Sequence, residues 1–246
     1  MDQVQSVSPV TPAAPARPLW ARALAIVTSP RSVFEELAVR PSWFWTAGLI
    51  TATAIVVFFL LWNSVMSPFY IEQASKSPQM TPEALAQMEQ NYSNPVSRVI
   101  GSCFAGAANF VFVIINGLVL FAITSFLMGG KASVRQALAV SAHANLVHIP
   151  RALLILPLAI SRQDPSVSLG PGLLFPVSEA VGFGAKALAN VLGAFDLFNI
   201  WSVALSILGM SVVSKIPIRQ VAVAVISAFL GLAVLFSLLG AALQPQ

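Results

Sequence analysis

Two ionisable side chains of opposite charge, Arg151 and Asp196, lie within long apolar segments of the sequence. A charge at membrane depth is costly, so such residues usually pair or face a water-filled cavity. Both lie toward the same side of the membrane, about 15 Å and 9 Å from their helix ends at roughly 1.5 Å per residue, a difference that an arginine side chain spans. We therefore predict that they pair. The pair fits a structural salt bridge, a substrate or proton path, or two side chains that snorkel separately.

Smaller polar groups accompany this pair at helical spacing. Asn145, His148 and Arg151 follow one another at intervals of three residues, and Asn199 follows Asp196 by three. Polar stripes of this kind usually join neighbouring helices through hydrogen bonds. Because the stripes come from three segments, they predict a polar interior enclosed by three helices. We call the predicted set the polar cluster: Arg151, Asp196, His148, Asn145, Asn199 and Asn116.

The sequence lacks the arrangements that catalysis or metal binding requires. His143 and His148 are five residues apart, about 140° around a helix, so they do not face one metal ion. No Gly-x-Ser-x-Gly elbow, phosphate-binding loop or metalloprotease motif occurs. An acid–base role for His148 is a weaker alternative to a satisfied polar contact. We expect no catalytic residues, no metal, no cofactor and no enzyme activity.

The elements that position these residues must be membrane-spanning helices. The chain is 57% hydrophobic and only 9% charged, whereas about a quarter of the residues of a soluble domain are charged. Its small net charge of +4 argues against nucleic acid as a partner. The composition predicts an all-α, polytopic bundle of five spans within a lipid bilayer. The predicted spans are 45–66, 99–128, 136–161, 190–213 and 221–242.

Two segments precede the predicted membrane domain, which covers residues 45–242. Residues 1–18 contain four prolines and predict a disordered cytoplasmic arm. Residues 19–44 predict interfacial amphipathic helices, because Trp20, Leu24 and Val27 recur at helical spacing and Pro30 opens a second helix. Between the third and fourth spans, the Pro- and Gly-rich residues 162–189 predict a loop with an apolar patch on the membrane surface.

The basic residues indicate an orientation. Eight of the thirteen Lys and Arg residues fall on the side of the N-terminus and four on the other, with Arg151 inside the membrane. Cytoplasmic loops carry the excess of positive charge. We therefore expect a cytoplasmic N-terminus and an external C-terminus.

Three stretches carry a resemblance to a known family. They are Ile26–Leu37 with the following Pro41-Ser42-Trp43, Gly130–Ala139, and Phe195–Ser202 continuing through Leu208-Gly209-Met210. Together they resemble the bacterial branch of the Yip (Ypt-interacting protein) membrane family. The resemblance implies five spans, a cytoplasmic N-terminus, a bacterial inner membrane and, for some bacterial members, a place beside ABC-type exporters. Eukaryotic members bind Rab-type GTPases in early secretory traffic through an Asp-Leu-Tyr-Gly-Pro-like stretch, which has no counterpart here.

Two functions remain open from the sequence. The first is a non-enzymatic accessory, scaffold or adaptor protein for other membrane components, associated with trafficking or with an exporter component. The second is a small transporter or channel with a polar path around Arg151 and Asp196. A homo-oligomer is compatible with both.

Overall fold

The computed structural model describes residues 17–77, 79–177 and 180–243, and within these residues the chain is largely helical and contains no strand. The predicted disordered arm, residues 1–18, lies almost entirely outside the described residues. The α-helices, in chain order, are α1 (Leu19–Thr28), α2 (Pro30–Val39), α3 (Phe44–Leu61), α4 (Ser67–Ser75), α5 (Pro82–Ser93), α6 (Pro95–Phe121), α7 (Val134–Ala144), α8 (His148–Arg162), α9 (Phe183–Ala194), α10 (Leu197–Ser214) and α11 (Ile218–Leu243).

Five helical runs are long and apolar enough to cross a membrane. They are, as spans 1 to 5, Phe44–Ser75, Pro95–Leu127, Val134–Arg162, Leu197–Ser214 and Ile218–Ala242. At most 44% of the residues in the apolar window of any span are buried within the protein. The remaining apolar surface requires an apolar surrounding, as lipid provides. The predicted all-α architecture of five spans is confirmed.

Consecutive spans run in opposite directions, so the bundle has two distinct ends. We call the end that carries α1, α2 and the turns at 128–133 and 215–217 the hairpin end. We call the other end, with α5 and residues 163–177, the loop end. The hairpin-end turns are joined directly, because Lys131 N donates to Ser214 O at 2.9 Å. Gly130 permits this approach, since a Cβ there would lie 2.8 Å from Ile216 Cδ1 and 2.9 Å from Ser214 Cβ.

Both predicted N-terminal helices form, but their apolar faces have different surroundings. Val33, Phe34 and Leu37 of α2 are fully buried in the core shared with spans 3 and 4. On α1, by contrast, Trp20 is 69% exposed and Leu24 65% exposed. The α2 helix is therefore an integral part of the bundle, and α1 alone presents an apolar stripe outward.

Span 1 extends beyond its predicted end at residue 66. The helix becomes π-helical at Trp62–Met66 and continues to Ser75. Pro68 has no N–H to donate to the carbonyl four residues earlier, and a π-helical turn accommodates such a missing bond. Trp62 is the first residue of this π-helical turn. Its side chain is buried, packs on Gly101 and donates to Tyr92 O at 3.0 Å.

Span 4 begins later than the predicted range 190–213. Asn190 lies in α9, and the chain leaves helical geometry at Phe195 and Asp196 before α10 starts at Leu197. α9 packs along span 5, and Asn190 Nδ2 donates to Ser237 O at 3.4 Å. The apolar run therefore consists of two helices joined by a sharp turn, and this turn brings Asp196 into the bundle.

Candidate functional site

Asp196 is the residue around which the candidate site is built. It is the N-cap of α10, where its Oδ1 accepts from Phe198 N at 2.9 Å. Its Oδ2 accepts from Leu169 N at 2.8 Å, in the segment that connects spans 3 and 4. Leu197 N returns a hydrogen bond to Leu169 O at 3.3 Å. One fully buried carboxylate thus caps span 4 and anchors the preceding loop.

Arg151 lies beside this carboxylate. Its Nε is 3.2 Å from Asp196 Oδ1, with the Arg151 side chain 29% exposed and that of Asp196 fully buried. The Nε–H is not aligned for a hydrogen bond, so the contact is an ion pair. Charges in a low-dielectric interior require such pairing. The two residues that the sequence predicts to pair therefore lie in direct contact.

A cavity of about 530 Å³ lies at the centre of the bundle, and we call it the chamber. All five spans contribute to its lining. Asp196, behind Arg151, does not line it. The polar-cluster residues that do are Asn116, Asn145, His148, Arg151 and Asn199. The structure therefore brings these five residues, which come from three spans, around one space.

Several of these side chains also donate hydrogen bonds to backbone carbonyls. Asn145 Nδ2 donates to Ser141 O at 2.8 Å, and Asn199 Nδ2 donates to Ala194 O at 3.2 Å across the turn before span 4. Span 3 is interrupted by a 3-10 turn at Asn145–Val147. Pro150 causes this irregularity, because it cannot donate to the carbonyl of Leu146. The turn places His148 and Arg151 at the chamber wall.

A second polar group, at the hairpin end, was not singled out from the sequence. Arg22 is buried and contacts Glu36 Oε1 through Nη2 at 2.7 Å and through Nε at 3.2 Å. Its Nη1 donates to Ser42 Oγ at 2.5 Å. These bonds join α1, α2 and the approach to span 1. The only sequence signal is an arginine on the polar side of α1, which predicts exposure and not burial.

One further contact fixes the hairpin end to the spans, and another joins span 1 to span 3. Gln136 belongs to a capping box with Ser133 at the start of α7, and its Nε2 donates to Ala38 O at 2.6 Å. Deeper in the bundle, His143 is fully buried, with its Nδ1 2.8 Å from Ala139 O and its Nε2 3.3 Å from Thr46 Oγ1. A carbonyl only accepts, so Nδ1 carries the proton and Nε2 accepts from Thr46.

The fold and these contacts define a five-span, all-helical integral membrane protein with a fastened N-terminal helical hairpin. The family model described as the Yip1 domain matches residues 24–241, and the chain belongs to this family. Neither a curated protein nor a solved structure matches the chain significantly. The family is a non-enzymatic membrane family.

Proposed function

We propose that this protein is a non-enzymatic accessory protein that presents its N-terminal hairpin to another membrane component, as a scaffold or adaptor. One observation carries the proposal: α2 is built into the bundle while the apolar stripe of α1 remains exposed. An adaptor requires a recognition surface outside the bilayer that is held in a fixed position on its membrane domain. The hairpin of α1 and α2 meets that requirement.

The rigidity of the hairpin comes from buried contacts on both of its helices. Phe34 on α2 is fully buried in the core that includes spans 3 and 4. The Arg22–Glu36 ion pair then closes α1 onto α2. Since ordering a flexible segment on binding costs free energy, a surface that is already ordered binds a partner at lower entropic cost.

The exposed face of the hairpin has a composition that suits a partner at the membrane surface. Trp20, Leu24 and Val27 form an apolar stripe on α1. Leu19 shares a groove with Trp45, an exposed residue at the start of span 1, so α1 lies near the level where the chain enters the first span. Tryptophans at this level are typical of the headgroup region. This position favours a component of the same membrane as the partner.

The basic residues support a cytoplasmic location for the hairpin. Arg17, Arg31 and Lys131 belong to the larger group of Lys and Arg residues on this side of the spans. We therefore propose an inner-membrane protein with its N-terminus and hairpin in the cytoplasm and its C-terminus outside. A trafficking or exporter component is the class of partner that this arrangement suits.

The proposal is tested by purifying the tagged protein from its native membrane in a gentle detergent after crosslinking, with mass spectrometry of the captured proteins. We expect a stoichiometric membrane partner that is lost in the variant Trp20→Ser/Leu24→Ser. The matched control is Val39→Ser, which changes an equally exposed residue on the other helix of the hairpin. Capture of no partner, or capture that the double variant leaves unchanged, would contradict the proposal.

The chamber favours transport as a second candidate function. A space of about 530 Å³ between the spans, with several polar side chains in its lining, is large enough for a small solute. Against this, Asp196 is occupied by two backbone N–H groups and by Arg151, so the charged pair holds the fold together. Solute flux into liposomes containing the purified protein, abolished by Asn116→Leu with the fold retained, would favour transport over the adaptor.

A further inference from the structure

A groove between spans 2 and 5 opens to the outside of the bundle. Its volume is about 430 Å³. Most of its lining is apolar, and Phe112 and Phe236 on its walls are more than half exposed. Along span 5 the lining runs from Val225 to Gly240, about 22 Å at 1.5 Å per residue. That length exceeds half of the hydrocarbon core, about 15 Å, which one acyl chain occupies.

The groove and the chamber are neighbouring parts of one continuous lining. Phe112, Asn116, Ser202, Val203 and Phe229 line both spaces. The groove and the chamber therefore adjoin at these side chains, and a molecule that occupied both would pass between them. The combined space is apolar where it meets lipid and polar at its inner end.

The polar groups at the inner end include a cation and an unused acceptor. Arg151 lines the chamber with its side chain partly exposed, although Asp196 holds its Nε. Among the described residues, Asn109 Oδ1 is buried without a hydrogen-bond partner, and Asn109 lines the same chamber. Buried polar atoms are normally satisfied, so an unpaired one in a chamber wall indicates a place for a polar ligand. A guanidinium matches a phosphate oxygen, and an amide oxygen matches a hydroxyl.

We propose that the chamber and the groove together form a binding site for a membrane phospholipid, with an acyl chain in the groove and a hydroxyl-bearing phosphate headgroup in the chamber. The site is independent of the proposed adaptor function. A helix of a second copy is a poorer fit, because a helix about 10 Å wide covers the groove but leaves the chamber unfilled. Asn116, Ser202 and Ser206 would also be left facing an apolar partner surface.

The test uses the full chain in phosphatidylcholine vesicles that contain phosphatidylglycerol with a photoreactive acyl chain. Crosslinked peptides are mapped by mass spectrometry. We expect labelling at Leu232 and Phe236 of the groove above that at Val223, an exposed residue of the same helix outside the groove. Ser206→Leu and Ala233→Leu, which fill the groove, should each reduce groove labelling about tenfold, the effect of losing one well-made contact. Val223→Leu is the matched control and should change nothing.

The role of the phosphate headgroup is tested by comparing two lipid probes. Diacylglycerol with the same photoreactive chain lacks the phosphate and should label the groove less than phosphatidylglycerol. Arg151→Met should lower this preference about tenfold, because it removes a charge-assisted hydrogen bond. The preference is the ratio of groove labelling by the two probes in the same variant, so a loss of stability alone does not change it. Inorganic phosphate should not compete, whereas unlabelled phosphatidylglycerol should.

Three results would overturn the proposal. Equal labelling of Leu232 and Val223 would show lipid around the bundle and no site. Equal labelling by the two probes would remove the phosphate from the assignment. Competition by inorganic phosphate would show that the chamber binds a free anion and that the acyl chain contributes nothing to recognition.

Discussion

Phe34 and Gly209 are in direct contact where the hairpin meets span 4. A Cβ at position 209 would lie 2.8 Å from Phe34 Cε1 and 2.6 Å from Val140 Cγ1 on span 3. The absence of a side chain at Gly209 thus allows α2, span 3 and span 4 to meet at one point. Phe34 and Gly209 belong to two of the three stretches that resemble the Yip family, and Val140 directly follows the remaining stretch, Gly130–Ala139.

Gly209→Ala should therefore destabilise the protein. Alanine is about 1 kcal/mol more favourable than glycine within a helix, but overpacking a close contact costs about 1–3 kcal/mol. We expect a lower midpoint of thermal unfolding in detergent, followed by tryptophan fluorescence. Gly231→Ala is the control, because nothing lies within 4 Å of a Cβ at that position of span 5. A variant at 209 as stable as the one at 231 would refute the close packing.

The Arg22–Glu36 pair should hold the hairpin closed. The side chains are 9% and 18% exposed, so removing the arginine leaves a carboxylate in a mostly buried site. Breaking such a pair costs up to about 3 kcal/mol. Arg22→Met should increase hydrogen–deuterium exchange throughout α1 while the spans stay protected.

Arg31→Met provides the matched control for the hairpin. Arg31 pairs with Glu35 one turn along α2, and these side chains are 76% and 56% exposed. Exposed pairs contribute about 0–1 kcal/mol. Exchange in α1 should therefore stay at the wild-type level. If both arginine variants exchange alike, the buried pair does not fasten the hairpin.

Apolar length and charge are enough to predict the five spans, but not where the apolar run around Asp196 breaks. Residues 190–213 are predominantly apolar, so hydropathy indicates one helix. The preference of Asp for helix N-caps is the available signal for a break, but the length of the apolar run favours a single helix. The burial of Arg22 and Trp62 is unpredictable from the sequence for a different reason. The burial of Arg22 depends on Glu36, and that of Trp62 depends on Gly101; both partners are distant in sequence. Residue type alone predicts a polar surface position for arginine and a membrane-interface position for tryptophan.

Asp196 should matter more for stability than Arg151. Replacing Asp196 with leucine removes a helix cap, worth about 1 kcal/mol, and leaves the N–H of Leu169 unpaired, at about 1–3 kcal/mol. Arg151→Met leaves the buried carboxylate without its cation, but two backbone N–H groups still donate to Asp196 and stabilise its charged form. We expect Asp196→Leu to lower the unfolding midpoint more than Arg151→Met.

The double variant Arg151→Met/Asp196→Leu distinguishes an anchor from a simple ion pair. If the two residues only neutralised each other, replacing both with apolar residues would restore stability. Because Asp196 also holds Leu169 and Phe198, we expect the double variant to remain about as unstable as Asp196→Leu alone. Full recovery in thermal unfolding would show that the ion pair is the whole role of Asp196.

The hydrogen bond between Thr46 and His143 should contribute to the packing of span 1 against span 3. Thr46→Val removes the hydroxyl that donates to the buried His143 Nε2, and an unpaired buried acceptor costs about 1–3 kcal/mol. Thr53→Val is the control, since Thr53 Oγ1 donates only to Leu49 O within its own helix. Replacing both partners, in Thr46→Val/His143→Leu, leaves no unpaired acceptor and should recover part of the loss. If that double variant is the sum of its single variants in thermal unfolding, the two side chains are not coupled.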